Sequence, residues 1–349
     1  MADIAKELAE QVRAAAAAGA ALRIVGGDTK ASFGRPVFGE RLEIAPHAGL
    51  LSYEPAELVV TARAGTRLAD LEAALAEHRQ QLAFEPLIFG EASTIGGAIA
   101  AGLSGAARPF AGAARDHILG VKVLDGRGEA LRFGGQVIKN VAGFDAFRLM
   151  AGAQGLLGAI LEVSLRASPA PRATASRSLE LPWPKASALV GALMRRPVPL
   201  TGAVHDGARL HLRFAGGEGA VASIAAEAGG EETAPKLWEE LRKMRLGPLA
   251  APRLWRISIP RTAELAPLEG ERLRDWGGAQ IWLAGGEDGG AVHAAAKAAG
   301  GHASLVRGAR PGEAVFSPLP APLFALHQRL KAALDPKGVF NPGRMYEDL

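Results

Sequence analysis

The first half of the chain alternates short strand patterns with helical patterns, and glycine-rich turns join them. An apolar run at residues 21–25 (ALRIV) ends in a glycine pair, and residues 68–78 place three leucines on one helical face. This mixture, which continues to about Arg166, predicts an α+β fold rather than a regular βαβ array. Glycine supplies 44 of the 349 residues without a collagen-like period, as expected for a fold with many tight turns.

Two prolines, Pro169 and Pro171, mark a change of pattern. Beyond them, strand patterns near residues 176–181, 209–214, 254–259, 280–284 and 302–306 alternate with helical patterns, which predicts an antiparallel sheet backed by helices. We therefore expect a first domain over residues 1–168, an inserted cap domain over 169–314 and a C-terminal return to the first domain over 315–349.

Composition excludes several classes of protein. The chain has no cysteine, so disulfides, cysteine nucleophiles and iron–sulfur ligation are excluded, and any such centre must belong to a partner. The net charge is +4, the basic residues are dispersed and aromatic residues make up only 5%, so we expect no nucleic-acid binding.

The N-terminal segment is not typical of a signal peptide, because its charges alternate with apolar residues at helical spacing. The longest uncharged stretch, residues 92–107, is shorter than the roughly 20 residues that span a bilayer. These features predict a soluble, cytoplasmic protein, which could reach a membrane through the partners of a complex.

Three glycine-rich segments of the first half are candidates for binding a nucleotide-type cofactor. They are residues 23–30 (RIVGGDTK), 93–102 (STIGGAIAAG) and 135–145 (GQVIKNVAGFD). Backbone N–H groups in such loops can surround a diphosphate, although an isolated glycine pair after a strand is more often just a turn. None of the three matches the G-x-G-x-x-G fingerprint of nicotinamide dinucleotide sites or the P-loop of nucleotide triphosphatases.

The chain contains only two asparagines, Asn140 and Asn341, and each lies in a candidate motif. The short amide offers donors and an acceptor suited to the edge of a heteroaromatic ring. The alternative is that both residues simply occupy turns in the left-handed conformation.

The order of motifs resembles the vanillyl-alcohol-oxidase type of flavoproteins, which carry a PCMH-type FAD-binding domain. The motifs are GGDTK, STIGGAIA, RDHILGVKVLDGRGE, KNVAGFD, GLLGAILEVSL and VFNPGRM. Within that group the chain is most similar to the small FAD-binding subunits of bacterial glycolate oxidases, also called glycolate dehydrogenases. The resemblance implies two α+β subdomains that enclose FAD, and an inserted cap of antiparallel sheet and helices.

The resemblance also implies a small 2-hydroxy acid such as glycolate as substrate. The implied partners are a larger flavin-bearing subunit and an iron–sulfur subunit of one oxidase complex. Asp28 stands where covalent flavoproteins of this type carry a linking histidine, so we expect FAD to be bound non-covalently.

Matching positions to the family gives the candidate cofactor contacts. They are Gly26, Gly27, Asp28, Thr29, Lys30, Ser93, Thr94, Ile95, Gly96, Gly97, Gly112, Asp116, Lys139, Asn140, Gly143, Phe144, Gly158, Ile160 and Asn341. The chain departs from the family where Ala153, Gln154 and Gly155 replace a common Ser-Glu-Gly.

Oxidising a 2-hydroxy acid requires a flavin face, a base for the hydroxyl proton and a cation for the carboxylate. Alternation on residues 254–259 separates Arg256 from the apolar positions, so Arg256 is a candidate for the carboxylate, with Trp282 and His117 as further candidates near the flavin. The alternatives are an exposed arginine on an edge strand and a structural histidine. His205 and His211 only superficially resemble the histidine cluster of larger relatives, and we expect no metal site.

Two functions therefore remain open at the level of sequence. The chain is either an FAD-dependent 2-hydroxy-acid dehydrogenase subunit that passes electrons to a partner, or an FAD-containing electron-transfer or structural subunit that oxidises no substrate itself.

Overall fold

The computed structural model describes residues 3–135, 145–286 and 288–349. The α-helices are α1 (Ala5–Ala18), α2 (Leu68–Glu77), α3 (Ile95–Ala101), α4 (Arg108–Ala111), α5 (Ala114–His117), α6 (Trp183–Met194), α7 (Glu218–Ala228), α8 (Lys236–Arg242), α9 (Gly289–Ala298) and α10 (Ala321–Leu334). The strands are β1 (Leu22–Val25), β2 (Glu40–Glu43), β3 (Leu50–Glu54), β4 (Val59–Arg63), β5 (Gln80–Gln81), β6 (Ile118–Leu124), β7 (Ala130–Gly134), β8 (Ala159–Arg166), β9 (Ser168–Pro169), β10 (Ala173–Glu180), β11 (Leu200–His205), β12 (Arg209–Gly216), β13 (Glu231–Glu232), β14 (Leu254–Ser258), β15 (Gly270–Asp275), β16 (Gln280–Gly285) and β17 (His302–Arg307).

These elements form two compact units. The first comprises Met1–Leu103, Ala113–Pro169 and Pro318–Leu349, and the second comprises Ser104–Gly112 and Ala170–Ser317. Both combine helices with antiparallel sheet, so the predicted α+β class is confirmed.

The first unit contains a five-stranded antiparallel sheet in the order β3-β4-β8-β6-β7. Every residue of β8 except the last is buried, because it lies at the centre of the sheet. A separate parallel pair joins β1 to β2. Helix α1 buries Leu8 and Val12 and is capped at its C-terminus by Gly19, whose φ of +63° suits glycine.

The C-terminal tail joins the first unit through long-range contacts. Leu22 of β1 pairs in parallel with Phe340, which is fully buried in the core of this unit. Asp335, at the end of α10, accepts hydrogen bonds from the backbone N–H groups of Val339 and Phe340 at 2.9 and 2.8 Å. The tail therefore lies beside β1, where the functional site described below begins.

The second unit contains an eight-stranded antiparallel sheet in the order β13-β10-β12-β11-β15-β16-β14-β17. Helices α6 and α7 pack in one apolar cluster with residues of β11 and β12, and α9 packs in another with residues of β14, β16 and β17. Trp255, Ile257 and Ile259 all belong to the α9 cluster, as their alternation predicts. Arg256, one position out of phase, therefore lies on the opposite face of the sheet.

Several elements differ from those that the sequence predicts. The sequence patterns predict no helix within the glycine-rich residues 93–102, but Ile95–Ala101 form helix α3, with Thr94 as its N-cap. The sequence patterns do not predict strands β2, β3, β11 and β15. Strand β15 (GERLRD) shows why, since Leu273 is its only apolar residue and hydrogen bonds to β16 hold it in the sheet.

Candidate functional site

The first unit contains a partly open pocket between its strands, helices and C-terminal tail. The described residues that line it are Arg23, Ile24, Val25, Gly26, Asp28, Lys30, Ala31, Val37, Ile44, Ala64, Thr94, Gly96, Gly97, Ala100, Ala101, Met150, Ala153, Gln154, Gly155, Gly158, Ile160, Asn341 and Arg344. Four segments far apart in sequence thus converge on one cavity: β1 with its loop, α3, the turn before β8 and the C-terminal tail.

The loop after β1 approaches the segment before α3 so closely that side chains are excluded. A Cβ atom on Gly27 would lie 1.6 Å from the carbonyl oxygen of Ala92, and one on Gly26 would lie 2.6 Å from Thr94 Oγ1. Thr29 Oγ1 and Ser93 Oγ are hydrogen-bonded at 3.0 Å across the same junction. The glycine pair is therefore required for the approach of the two segments.

Asp28 shapes this loop rather than standing free in the pocket. Its φ is +53°, and its carboxylate forms ion pairs with Arg23 and Arg41, the latter at 3.1 Å. The two arginines hold the turn that places Lys30 in the pocket wall.

Helix α3 presents its first turn to the pocket. Thr94 Oγ1 accepts a hydrogen bond from the N–H of Gly97 at 3.2 Å, and the N–H of Gly96 donates to Ala64 O at 2.9 Å. A Cβ atom on Gly96 would meet Ala64 at 2.6 Å, whereas one on Gly97 would meet only Thr94 Oγ1, at 3.2 Å. Gly96 therefore serves close packing on Ala64, and Gly97 leaves open space at the pocket wall.

The charge of the pocket is positive. Arg23, Lys30 and Arg344 contribute three cations and Asp28 one carboxylate, so the formal charge of the described lining is +2. Burial lowers the pKa of Lys30 to about 8. Burial, together with the charge of Arg23, lowers the pKa of Arg344 to about 10. The diphosphate of FAD carries two negative charges and would relieve this unfavourable concentration of positive charge, so the residues present fit that group.

Arg344 and Asn341 connect the tail to the other walls of the pocket. The Arg344 guanidinium donates to the backbone oxygens of Lys30, Phe33 and Arg35 at 3.1, 2.6 and 3.0 Å. Asn341 has a φ of +43°, accepts a hydrogen bond from the N–H of Ile24 at 2.9 Å and donates one to Gln154 O at 2.7 Å. Asn341 thus adopts the left-handed turn conformation, and both the oxygen and the nitrogen of its side-chain amide form hydrogen bonds with the protein backbone.

The pocket contains part of the set of residues predicted from the sequence. Its wall includes Gly26, Asp28, Lys30, Thr94, Gly96, Gly97, Gly158, Ile160 and Asn341. The lining does not include Gly27, Thr29, Ser93, Ile95, Gly112 or Asp116. Lys139, Asn140, Gly143 and Phe144 lie outside the described residues. Sequence reasoning missed Arg23, Gln154 and Arg344, although the arginine before the first glycine pair and the arginine after FNPG were visible in the motifs.

The residues that the sequence offered as candidates for substrate contact or metal binding lie in different environments. His117 is buried, with its ring centre 5.6 Å from that of Phe84, and Trp282 is buried opposite Arg256 in the sheet register. His205 bonds to Leu181 O, and His211 bonds to Ser178 and Asp206. In the described part of the chain, no group of three or more histidine, aspartate and glutamate side chains is arranged to hold a metal ion.

Comparison with known proteins shows the family to which the chain belongs. A family of FAD-binding domains matches residues 2–134. Glycolate oxidase subunit GlcE of Escherichia coli is 44% identical over 348 residues, which cover 99% of both chains. A D-lactate dehydrogenase of Anaerostipes hadrus is 32% identical over 127 residues, 36% of this chain and 26% of that protein.

A solved structure of an alkyldihydroxyacetonephosphate synthase has a TM-score of 0.66 at 17% identity, and the match covers 97% of this chain and 74% of that one. The fold and the family match define an FAD-binding flavoprotein of the oxidoreductase class with a PCMH-type fold. The chain belongs to the family of glycolate oxidase subunit GlcE. The predicted fold, cofactor and family are thereby confirmed.

Among the described residues, no helix is both long and apolar enough to cross a membrane.

Proposed function

We propose that the chain binds FAD non-covalently in the pocket of the first unit, oxidises a small 2-hydroxy acid such as glycolate, and passes the electrons to a partner subunit. The observation that carries the proposal is the convergence of the loop after β1, helix α3 and the C-terminal tail on a pocket of formal charge +2. We assign the diphosphate to Lys30 and the backbone around Gly26 and Gly97. Bound FAD would supply the hydride acceptor.

The second unit is proposed as the cap domain, approximately residues 169–314. The relative that matches over the whole length is named as a subunit of glycolate oxidase, which supports a complex. Because the chain has no cysteine, an iron–sulfur centre for electron exit would belong to another subunit. The proposed partners are accordingly a larger flavin-bearing subunit and an iron–sulfur subunit.

A second candidate function is an FAD-containing electron-transfer or structural subunit without substrate oxidation of its own. It is favoured by the environments of His205 and His211, whose ring nitrogens bond within the protein instead of forming a substrate or metal site.

Anaerobic reduction of the isolated, FAD-loaded chain tests the two candidates. Loss of the flavin absorbance near 450 nm on adding glycolate or D-lactate, with one 2-oxo acid formed per flavin reduced, supports the first. A flavin that stays oxidised until partner subunits are added supports the second. Acid precipitation tests non-covalent binding, since the yellow colour should then remain in the supernatant. A purified protein that binds no FAD would contradict both candidates.

A further inference from the structure

Arg256 lies inside the second unit with a guanidinium that is only partly used by the protein. It is on β14, between β16 and β17, and its register partners are Trp282 and Ser304. Its Nε donates to Gln280 Oε1 at 2.6 Å, and Gln280 Nε2 in turn donates to Asp275 Oδ2 at 3.4 Å. Within the described residues, Nε is the one guanidinium nitrogen of Arg256 that has a hydrogen-bond partner.

Arg256 and a second arginine, Arg108, both lie over the ring of Trp276. The guanidinium carbon of Arg108 lies 4.2 Å from the centre of the Trp276 ring, and that of Arg256 lies 5.1 Å from it. Trp276 is held in place because its indole N–H donates to Gly105 O at 2.9 Å and its backbone N–H donates to Asp275 at 2.7 Å. The two cations therefore share one rigid platform.

The cluster carries an excess of positive charge. Two guanidiniums and the carboxylate of Asp275 give it a formal charge of +1. His302 lies on the same face of the sheet by register and is exposed at the start of β17; partial desolvation and the charges of Arg256 and Arg108 lower its pKa. Burial and the charge of Arg108 likewise lower the pKa of Arg256 to about 10. A partly buried cation without a directly bonded carboxylate is stabilised when an anion joins it.

We propose that Arg256 and Arg108, stacked on Trp276, form a binding site for a small monocarboxylate. The two terminal nitrogens of Arg256 form a planar fork, and such a fork binds carboxylates through two parallel hydrogen bonds. One carboxylate neutralises the remaining charge, whereas a dianion would leave the cluster negative. The identification of the occupant as a 2-hydroxy acid rests on the proposed function, but the anion site itself lies within the second unit and requires no flavin.

Calorimetric titration of the FAD-loaded full-length protein tests this site, with glycolate, 2-hydroxyisobutyrate and inorganic phosphate as probes. Glycolate is titrated anaerobically, whereas 2-hydroxyisobutyrate cannot be oxidised because its Cα carries no hydrogen. We expect saturable binding of both monocarboxylates, with phosphate at least about tenfold weaker. Arg256→Met and Arg108→Met should each weaken 2-hydroxyisobutyrate binding by about tenfold or more, as expected when a charge-assisted pair is lost. Arg256→Lys should bind with intermediate affinity, because it keeps the charge and loses the fork.

Arg274→Met is the matched control. Arg274 also stacks on a tryptophan of the second unit, with its guanidinium carbon 4.8 Å from the centre of the Trp183 ring. It lies on the opposite face of the sheet, because its register partner is Ile281 of the α9 cluster. We expect unchanged 2-hydroxyisobutyrate binding in this variant. Tryptophan fluorescence gives a second signal, because all five tryptophans belong to the second unit.

The proposal is overturned if the native protein binds no carboxylate, if phosphate binds more tightly than 2-hydroxyisobutyrate, or if Arg256→Met and Arg274→Met have equal effects. Should Arg256→Met fail to fold, Arg256→Lys and Arg108→Met decide the question. Carboxylate binding that persists without flavin reduction by glycolate would refute substrate oxidation and leave the anion site standing. Flavin reduction by glycolate, together with unaltered 2-hydroxyisobutyrate binding in Arg256→Met, would support substrate oxidation and refute the anion site at Arg256.

Discussion

At the scale of the residue, Lys30 is a pocket cation whose protonation changes within an accessible pH range. Burial lowers its pKa to about 8, and its Nζ lies 5.4 Å from the centre of the Phe89 ring. Below pH 8 the free pocket carries the charged amine, and above it the amine is neutral. We therefore predict that FAD affinity falls as the pH rises from about 7 to about 9.5, measured by quenching of FAD fluorescence on apoprotein.

Two variants at this position separate charge from packing. Lys30→Met should bind FAD about tenfold or more weakly near pH 7 and lose most of the pH dependence, since a charge-assisted bond is gone. Lys30→Arg should retain its charge and bind with little change over the same pH range. Equal pH profiles for the native protein and Lys30→Met would show that Lys30 does not contact the diphosphate.

His47 is a second residue whose titration affects the molecule, in this case its stability. It is fully buried, neither ring nitrogen has a hydrogen-bond partner among the described residues, and burial lowers its pKa. The unfolded chain takes up a proton near the ordinary pKa of about 6.5, while the folded chain resists protonation. We predict that the free energy of unfolding decreases as the pH falls from about 7.5 to about 5.5.

Urea unfolding of the native protein and of His47→Gln, at about pH 7.5 and about pH 5.5, measures this change in the free energy of unfolding. His47→Gln should show a smaller decrease than the native protein, because glutamine does not titrate. An equal decrease in both proteins would assign the acid sensitivity to other groups.

At the scale of the element, the first turn of α3 has two glycines with different tasks. Gly96 packs on Ala64 and Gly97 borders open space in the pocket. We predict that Gly97→Val folds normally but purifies with little flavin, because its methyl groups enter the cofactor space. Gly96→Ala should instead lower the thermal stability, since its Cβ would overlap Ala64. The flavin-to-protein absorbance ratio and a thermal melt measure the two effects; normal flavin content in Gly97→Val would refute the assignment.

Helix α10 is joined to the tail by a buried ion pair. Lys331 Nζ donates to Asp335 Oδ2 at 2.7 Å and to the carbonyl oxygens of Leu156 and Phe340 at 2.9 and 2.7 Å. Removing one partner leaves the other charge buried, which typically costs about 3–5 kcal/mol. We predict a loss of that size in the free energy of unfolding for Asp335→Ala, measured by urea titration.

A double variant and a matched control sharpen this prediction. Lys331→Met with Asp335→Leu should cost less than the sum of the single changes, because no charge is left unpaired. Glu239→Ala breaks the exposed pair with Lys243, which has the same i,i+4 spacing, and should change stability little. Equal effects at the two pairs would contradict the role of burial.

At the scale of the whole molecule, the sequence predicted features that depend on neighbouring residues better than features that depend on contacts between distant residues. Helix α2 forms where the leucine spacing of residues 68–78 predicts a helix, and the glycine pair at positions 26 and 27 indicated the loop that forms one wall of the pocket. Arg344 could not be placed from sequence, because its contacts with residues 30–35 arise from a chain return of more than 300 residues. Strand β15 likewise depends on its neighbours rather than on its own pattern.

Because the pocket is assembled from segments at both ends of the chain, FAD should bind the folded protein and not the unfolded one. Binding then stabilises the fold by an amount set by mass action, about 2.7 kcal/mol when free FAD is a hundredfold above its Kd. We predict a melting temperature that rises with FAD concentration, followed by circular dichroism of the apoprotein. Lys30→Met should need proportionally more FAD for the same shift, and riboflavin, which lacks the diphosphate, should shift it less. A melting temperature independent of FAD would mean that the four converging segments do not form the flavin site.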